Sequence, residues 1–487
     1  MRIFVGSGPC HLPSREFVSA IAHVPLGSEA RPLAVAIVGA GPAGFFAADA
    51  LIKQSDVAVR VDIFNRLPTP YGLVRDGVAP DHQEIKAVTR AFDRVAADPR
   101  VRYFGNVTFG RDIHRDELRK LYHQVVYAVG APTDRRMGIP GEDLDGSLPA
   151  TAFVGWYNGL PDYADLDPDL SGERAVVVGN GNVAVDVARM LVKSVDALAR
   201  TDMALYAVEA FRESRVKEVV VLGRRGPAQA AFTTPELREL GALEGVDVVV
   251  DPEDLELDGA SRAYVEGDRT AGRNMERLEE FAARTPDPAN RRLVLKFLTS
   301  PVEILEDGEG RVSAVRVERN ELVQAQDGSM RPRGSGRFDT IACSLVLRSV
   351  GYRCAPLPGV PFDEGRAVLA NEGGRVTDGA RGPVLPGEYV VGWAKRGPSG
   401  VIGTNKADAR DTVLRMLEDL PALDASGADA APPDGVERTL DQRDVVVVRW
   451  PDWERMDAVE RARGEALDRP RVKCCTVAEM LEAIEGN

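Results

Sequence analysis

The sequence is poor in cysteine, and the few it has are badly placed for metal or disulfide chemistry. Among 487 residues there are five, Cys10, Cys343, Cys354, Cys474 and Cys475. None forms a C-x-x-C, and Cys474 and Cys475 are neighbours in the chain. A disulfide framework, a zinc finger, an iron–sulfur cluster of the chain's own and a dithiol redox pair are thereby excluded. The usage fits a reducing, cytosol-like compartment. No apolar run approaches the ~20 residues needed to cross a bilayer, so no membrane span is expected. Positive charge is in deficit, with 61 Lys and Arg against 75 Asp and Glu and a net charge of −14. Nucleic acid is therefore not expected as the main partner, although a local basic patch can still dock an acidic protein.

Residues 1–31 lack the charged start and long apolar run of a secretory signal. They carry Arg2, Arg15 and Arg31 but also Glu16 and Glu29, unlike an acid-poor mitochondrial presequence. A flexible extension and a cytoplasmic location are the expectation. Gly6-Ser7-Gly8-Pro9 imitates a dinucleotide loop, but only five residues precede it and no helix-forming run follows.

What is present begins at Leu33. At roughly 100–200 residues per domain, the length calls for two or three domains. Leu33–Val38 (LAVAIV) reads as a buried strand, followed by the turn Gly39-Ala40-Gly41-Pro42-Ala43-Gly44 and a helix to about Lys53. A second strand spans Val57–Phe64. The same grammar returns 140 residues later, with Glu173–Val178, the turn Gly179-Asn180-Gly181-Asn182-Val183-Ala184, a helix to about Val192 and strand Glu218–Leu222. Near the C-terminus a strand at Glu388–Val391, a glycine-rich loop from Gly392 to Gly403 and a helix Thr404–Leu420 are predicted. Residues 421–437 read as a mobile surface segment. Val445–Val448 and a helix around Asp457–Glu465 read as a peripheral cap.

In a GxGxxG turn the first glycine makes the bend, the second admits a pyrophosphate and the third lets helix and strand pack. The helix N-terminus then presents N–H donors and a partial positive charge. Both turns lie between a strand and a helix, as the motif requires. The residue ending the next strand separates the cofactors, since an acid suits a ribose hydroxyl and arginine suits a 2′-phosphate. After the second turn that strand runs into Gly223-Arg224-Arg225-Gly226, a pair of guanidiniums for a phosphate, hence NADPH. After the first, the position 26 residues beyond Gly39 is Asn65. Asparagine can bond a ribose hydroxyl without the charge-assisted gain, so Asn65→Glu is expected to tighten FAD.

Five stretches resemble one family: VAIVGAGPAGFFAA, TPYGLVRDGVAPDHQEIK (Thr69–Lys86), GNGNVAVDVAR (Gly179–Arg189), GRRGPAQAAFTTPELREL (Gly223–Leu240) and GWAKRGPSGVIGTNK (Gly392–Lys406). From about Leu33 to Lys473 the chain resembles adrenodoxin reductase-type ferredoxin–NADP reductases, especially actinobacterial ones. It departs from them at Asn65, usually Glu, and in its N-terminal segment. The resemblance implies an α/β fold of two Rossmann-like domains, with an NADPH domain (134–348) inserted into a discontinuous FAD domain (32–133 and 349–487). The stretches Val126–Gly130 and Leu347–Gly351 would mark the hinge. FAD contacts would fall on Gly39, Gly41, Gly44, Asn65, Leu73, Val107, Trp393, Gly400, Val401 and Ile402. NADPH contacts would fall on Arg135, Asn180, Gly181, Asn182, Val183, Arg224, Arg225, Glu236 and Gly400. The loop Gly400–Ile402 precedes a helix, so its N–H groups could stabilise negative charge on a reduced flavin.

The implied reaction passes a hydride from NADPH to FAD and single electrons to a ferredoxin-like iron–sulfur protein, the cofactors supplying the chemistry. His82 and Glu239 would pair and position the nicotinamide, with Glu236, three residues before Glu239 on the same helix, beside the NADPH ribose. Arg238, Arg273 and Arg277 are candidates for docking an acidic ferredoxin. No metal site is expected, and the enzyme is expected to be a monomer. A flavin monooxygenase and a non-catalytic NADPH-sensing flavoprotein are the alternatives.

Overall fold

The computed structural model describes residues 24–486 apart from 327 and 428. Gly6–Pro9 and Cys10 lie outside the described residues. Two parallel sheets organise the chain. The first has seven strands in the order Asn371–Glu372, Arg375–Thr377, Val384–Val390, Gln124–Tyr127, Leu33–Val38, Val59–Phe64 and Val101–Phe104. Its last five strands run parallel, and the first two add an antiparallel edge. Leu33–Val38 is central and wholly buried, because helices cover both faces of such a sheet; its side chains therefore need not alternate in polarity. The second sheet has six parallel strands in the order Ser147–Pro149, Leu345–Arg348, Arg174–Val178, Glu218–Leu222, Arg291–Lys296 and Val246–Val250. A three-stranded antiparallel sheet, Thr299–Glu306, Val312–Gln324 and Met330–Ala342, completes this half.

The first sheet thus takes strands from both ends of the chain, and the second is formed entirely from the residues between them. The two units anticipated around the glycine turns occur at Leu33–Val38, Pro42–Ile52 and Val59–Phe64, and again at Arg174–Val178, Asn182–Val192 and Glu218–Leu222.

Four expectations need correction. The glycine-rich loop carries a short helix, Trp393–Arg396, closed by Gly397 at φ +83°. The segment 421–437 holds most of helix Leu420–Ala425 and the start of helix Gly435–Asp441. The described end of the N-terminal extension is docked onto that segment, with Leu26 buried and Arg31 paired to Asp424 at 2.5 Å and Asp429 at 3.0 Å. The supposed peripheral cap is core: helix Trp450–Glu465 buries Trp453, Met456 and Glu460. Its apolar residues are not segregated from its charged ones, and the charged Glu460 is buried among them, so no core-facing stripe shows in the sequence.

Candidate active site

Each glycine turn is shaped by the backbone facing it. Gly39 sits at φ +113°, and a β-carbon there would stand 2.5 Å from the Ala128 carbonyl oxygen. A β-carbon on Gly44 would stand 2.1 Å from the Gly39 carbonyl oxygen. In the second turn Gly179 sits at φ +124°, and its β-carbon would meet the Ser349 carbonyl oxygen at 2.2 Å. Ala128 and Ser349 lie in the two stretches that the sequence singles out as a hinge. The middle glycines differ, since nothing lies within 4 Å of a β-carbon on Gly41 or Gly181. Open space before the second glycine, at the start of an eleven-residue helix, is what close approach of a pyrophosphate demands. Ala184 replaces the third glycine and is fully buried.

Asn65 is otherwise employed than expected. Its Oδ1 accepts from the Ala40 N–H at 3.2 Å, and its Nδ2 donates to the carbonyls of Leu67 at 3.0 Å and Thr69 at 2.8 Å. The side chain ties the glycine turn to the following loop, with both amide hydrogens engaged and one lone pair left on Oδ1. The expected effect of Asn65→Glu is thereby reversed. A carboxylate has no hydrogen to give, so two carbonyls would lose their donor and face negative charge. The FAD-to-protein ratio after dialysis should fall in Asn65→Glu; a rise would restore the ribose role.

The remaining FAD candidates border the first turn or the Gly392–Gly403 loop. Leu73 is exposed at the start of a short helix, and its neighbour Gly72, at φ +49°, abuts Gly41. Val107 is 1% exposed, so its side chain belongs to the core beside Phe64 and Phe104 and only backbone remains for a ligand. Trp393 donates its indole N–H to the Ser399 carbonyl at 3.1 Å and lies 5.2 Å from the Tyr352 ring. Gly400 adopts φ +78°, Val401 is 67% exposed, and Ile402 packs partly on the core.

Around the second turn, Asn182 donates to Glu236 Oε1 at 2.9 Å and accepts from the Thr233 N–H at 3.0 Å. Thr233 also bonds Glu236. Burial, then the nearby Asp186 and Glu239 carboxylates, raise the Glu236 carboxyl. Asn180 keeps a buried Nδ2 without a partner. The backbones of Arg224 and Arg225 are clamped by Asn320 at 2.8 Å and Leu298 at 3.0 Å. Neither guanidinium meets a carboxylate among the described residues. An arginine pair on a fixed backbone with free side chains suits an incoming phosphate. Arg135 is likewise exposed, its N–H held by the Gly351 carbonyl at 2.9 Å.

His82 and Glu239, 157 residues apart, come together with Nε2 2.7 Å from Oε2. Around them lie charges that the sequence motifs do not announce. Arg189 pairs with Asp186 at 2.7 Å and with Asp81, and Lys193 reaches Asp81 at 2.6 Å. Burial raises the Asp186 carboxyl, Arg189 only partly offsetting it. Burial acts the same way on Asp81, but Arg189 and Lys193 together outweigh it and hold the carboxyl low. Of the docking candidates, Arg238 and Arg273 are exposed, whereas Arg277 is engaged by Glu280.

Residues 33–244 match the family model for pyridine nucleotide-disulphide oxidoreductases. The chain is 48% identical to an NADPH-ferredoxin reductase, FprA, of Mycobacterium leprae over 93% of its length and 98% of the relative's. The chain belongs to the family of NADPH-ferredoxin and adrenodoxin reductases. A mitochondrial NADPH:adrenodoxin oxidoreductase of Arabidopsis thaliana is 41% identical over 97% of this chain and 98% of its own. The solved structure of Mycobacterium tuberculosis FprA in complex with NADPH superposes with a TM-score of 0.89 at 47% identity, covering 94% of this chain and all of that one. Two Rossmann-like folds are thus established. The four described cysteines are buried free thiols.

The two sheets are also joined beneath the site by buried charge that no motif announced. Lys86 bonds Asp202 at 2.7 and 2.8 Å, and Lys473 bonds the Asn158 carbonyl at 2.9 Å. Two ammonium groups share one carboxylate there. Burial and neighbouring cations push both lysines down, Lys473 to about 7, while the two lysines overcome burial and hold Asp202 at about 2.

Proposed function

We infer that the chain is an NADPH-dependent FAD oxidoreductase that passes electrons to a ferredoxin-like iron–sulfur protein. The observation that carries this is the pair of glycine turns with open middle positions, joined across the His82–Glu239 contact, the second flanked by uncommitted Arg224 and Arg225. FAD would be held by Gly39, Gly41 and Gly44, with the Gly400–Ile402 loop beyond it. NADPH would be held by Asn180–Val183, Arg224 and Arg225. The FAD domain would comprise 32–133 and 349–487, and the NADPH domain 134–348, in keeping with the division of strands between the sheets. When bound, FAD would supply the hydride-accepting and one-electron-donating chemistry.

The chain's own part is orientation. Helix N-termini Pro42 and Asn182 stabilise the two pyrophosphates, and Glu236 fixes Asn182 at the mouth of the NADPH site. His82 and Glu239 form a polar wall against which the nicotinamide is set. His82→Ala should slow flavin reduction by NADPH roughly ten- to a hundred-fold, the scale of a misplaced reactant, with FAD content unchanged. An unchanged stopped-flow rate would remove His82 from the site.

An acidic acceptor would dock near Arg238 and Arg273, because a chain of net charge −14 must localise its cations to attract one. Its buried free thiols favour a reducing compartment, and we place the enzyme in the cytoplasm as a monomer. Among the described residues no helix is long and apolar enough to cross a membrane. The deciding assay is NADPH-driven cytochrome c reduction with and without added ferredoxin. Ferredoxin should stimulate the rate, and the stimulation should fall as salt is raised. Substrate hydroxylation instead of stimulation would favour the monooxygenase alternative. A salt-independent rate would move the docking surface elsewhere.

A further inference from the structure

Arg189 ends the stretch Gly179–Arg189, yet neither glycine turn nor the phosphate site uses it. It lies near the end of helix Asn182–Val192 and is 3% exposed. Two carboxylates, Asp186 and Asp81, lock its guanidinium in place. One of its nitrogens, Nη2, lies 2.9 Å from His82 Nε2. Glu239 Oε2 lies 2.7 Å from that same ring nitrogen and 3.7 Å from Arg189 Nε.

These two contacts exclude one another. An imidazole nitrogen has one in-plane position, filled by either a hydrogen or a lone pair. Guanidinium only donates and carboxylate only accepts. His82 Nε2 therefore serves Glu239 when it carries hydrogen and Arg189 when it is bare.

We propose that Arg189 is a positioning residue acting through His82, competing with Glu239 for Nε2 and keeping the neutral ring's hydrogen on Nδ1. The proposal rests on His82 setting the nicotinamide. Arg189 has the advantage because it is buried and fixed, whereas the Glu239 side chain is 43% exposed and shares its oxygens with water. The other charges around His82 are engaged elsewhere, except that Asp81 keeps one buried oxygen, Oδ1, without a partner. Asp81 is held by Arg189 and Lys193, Asp186 by Arg189, and Glu236 by Asn182 and Thr233. Among the described residues Glu239 is the one carboxylate within hydrogen-bond distance of Nε2. A ring pinned from the interior keeps its position when Glu239 moves with solvent, and the same contact fixes which edge can donate.

The test is nitrogen NMR of the oxidised holoenzyme labelled in its five histidines, with His82 assigned by loss of its signals in His82→Gln. At mildly alkaline pH the hydrogen should reside on Nδ1. In Arg189→Met it should move to Nε2, and Arg189→Lys should restore Nδ1 in part. Flavin reduction by NADPH should fall roughly tenfold in Arg189→Met, with its KM for NADPH unchanged and partial recovery in Arg189→Lys. Arg189→Met strands two carboxylates, so the unmutated protein provides an independent measurement: hydrogen on Nε2 there overturns the proposal. So does an unmoved hydrogen in a folded Arg189→Met. A moved hydrogen with an unchanged rate upholds the role of Arg189 and overturns the one given to His82.

Discussion

Replacing Arg224 and Arg225 together by alanine should weaken NADPH binding roughly 10²–10⁴-fold, two charge-assisted bonds of about 1.5–3 kcal/mol each. NADH should be almost unaffected, because it lacks the 2′-phosphate these side chains would hold. The backbone of the pair is fixed by Asn320 and Leu298 rather than by the guanidiniums, so the substitution should leave the fold intact. Michaelis constants for both nucleotides with ferricyanide as acceptor measure the change, and circular dichroism confirms folding. Equal losses for NADPH and NADH would mean that the arginines act on something other than the phosphate. Single replacements should divide the effect unequally, since Arg225 is half-buried and Arg224 exposed, where water competes.

Glu460→Ala should lower stability by roughly 3–5 kcal/mol, the usual consequence of stranding a buried partner charge. Glu460 is fully buried and accepts from Arg75 at 2.6 and 2.9 Å, from Arg471 at 3.1 Å and from the Cys474 N–H at 2.8 Å. Arg75, itself buried, also lies over the Trp453 ring at 5.5 Å. Removing the carboxylate leaves a guanidinium in the core and releases the backbone leading to Lys473, which joins the two sheets. Glu460→Gln keeps the shape and should cost less. Burial alone would raise this carboxyl, but Arg75 outweighs it and holds the group below the ordinary range. A depressed carboxyl stabilises fully above its unfolded pKa and loses that contribution as pH falls through the folded one. The wild-type melting temperature should therefore drop below that unfolded pKa, near 4.3 for glutamate, more steeply than that of Glu460→Gln. Parallel curves would mean that Glu460 is neutral in the folded protein.

The parts of the site legible in sequence are those whose meaning is local. A strand, a bend and a helix within about twenty residues are governed by hydrophobic pattern and by backbone angles open to glycine. Both turns accordingly lie where expected, together with the arginine pair that follows the second. The pairing of His82 with Glu239 is legible only through family resemblance, because nothing local relates two residues 157 positions apart. Asn65 shows the opposite failure. Its position is plain in the sequence and its role is not, because three backbone groups from the turn and the next loop converge on one amide. Helix Trp450–Glu465 reads as peripheral for a related reason. Its charged residues look solvated until Arg75, 385 positions before Glu460, is seen beside it.

By itself the sequence determined the fold class, two nucleotide-binding units and the preference for a phosphorylated pyridine nucleotide. Each follows from residues close in the chain. Only the tertiary structure decided that Asn65 ties down a loop, that Arg189 and Glu239 both reach one nitrogen of His82, and that Glu460 lies at the centre of a buried charge cluster. Those outcomes depend on which polar groups share a space closed to water. There an unpartnered charge costs several kcal/mol, and the choice of partner belongs to the folded chain as a whole.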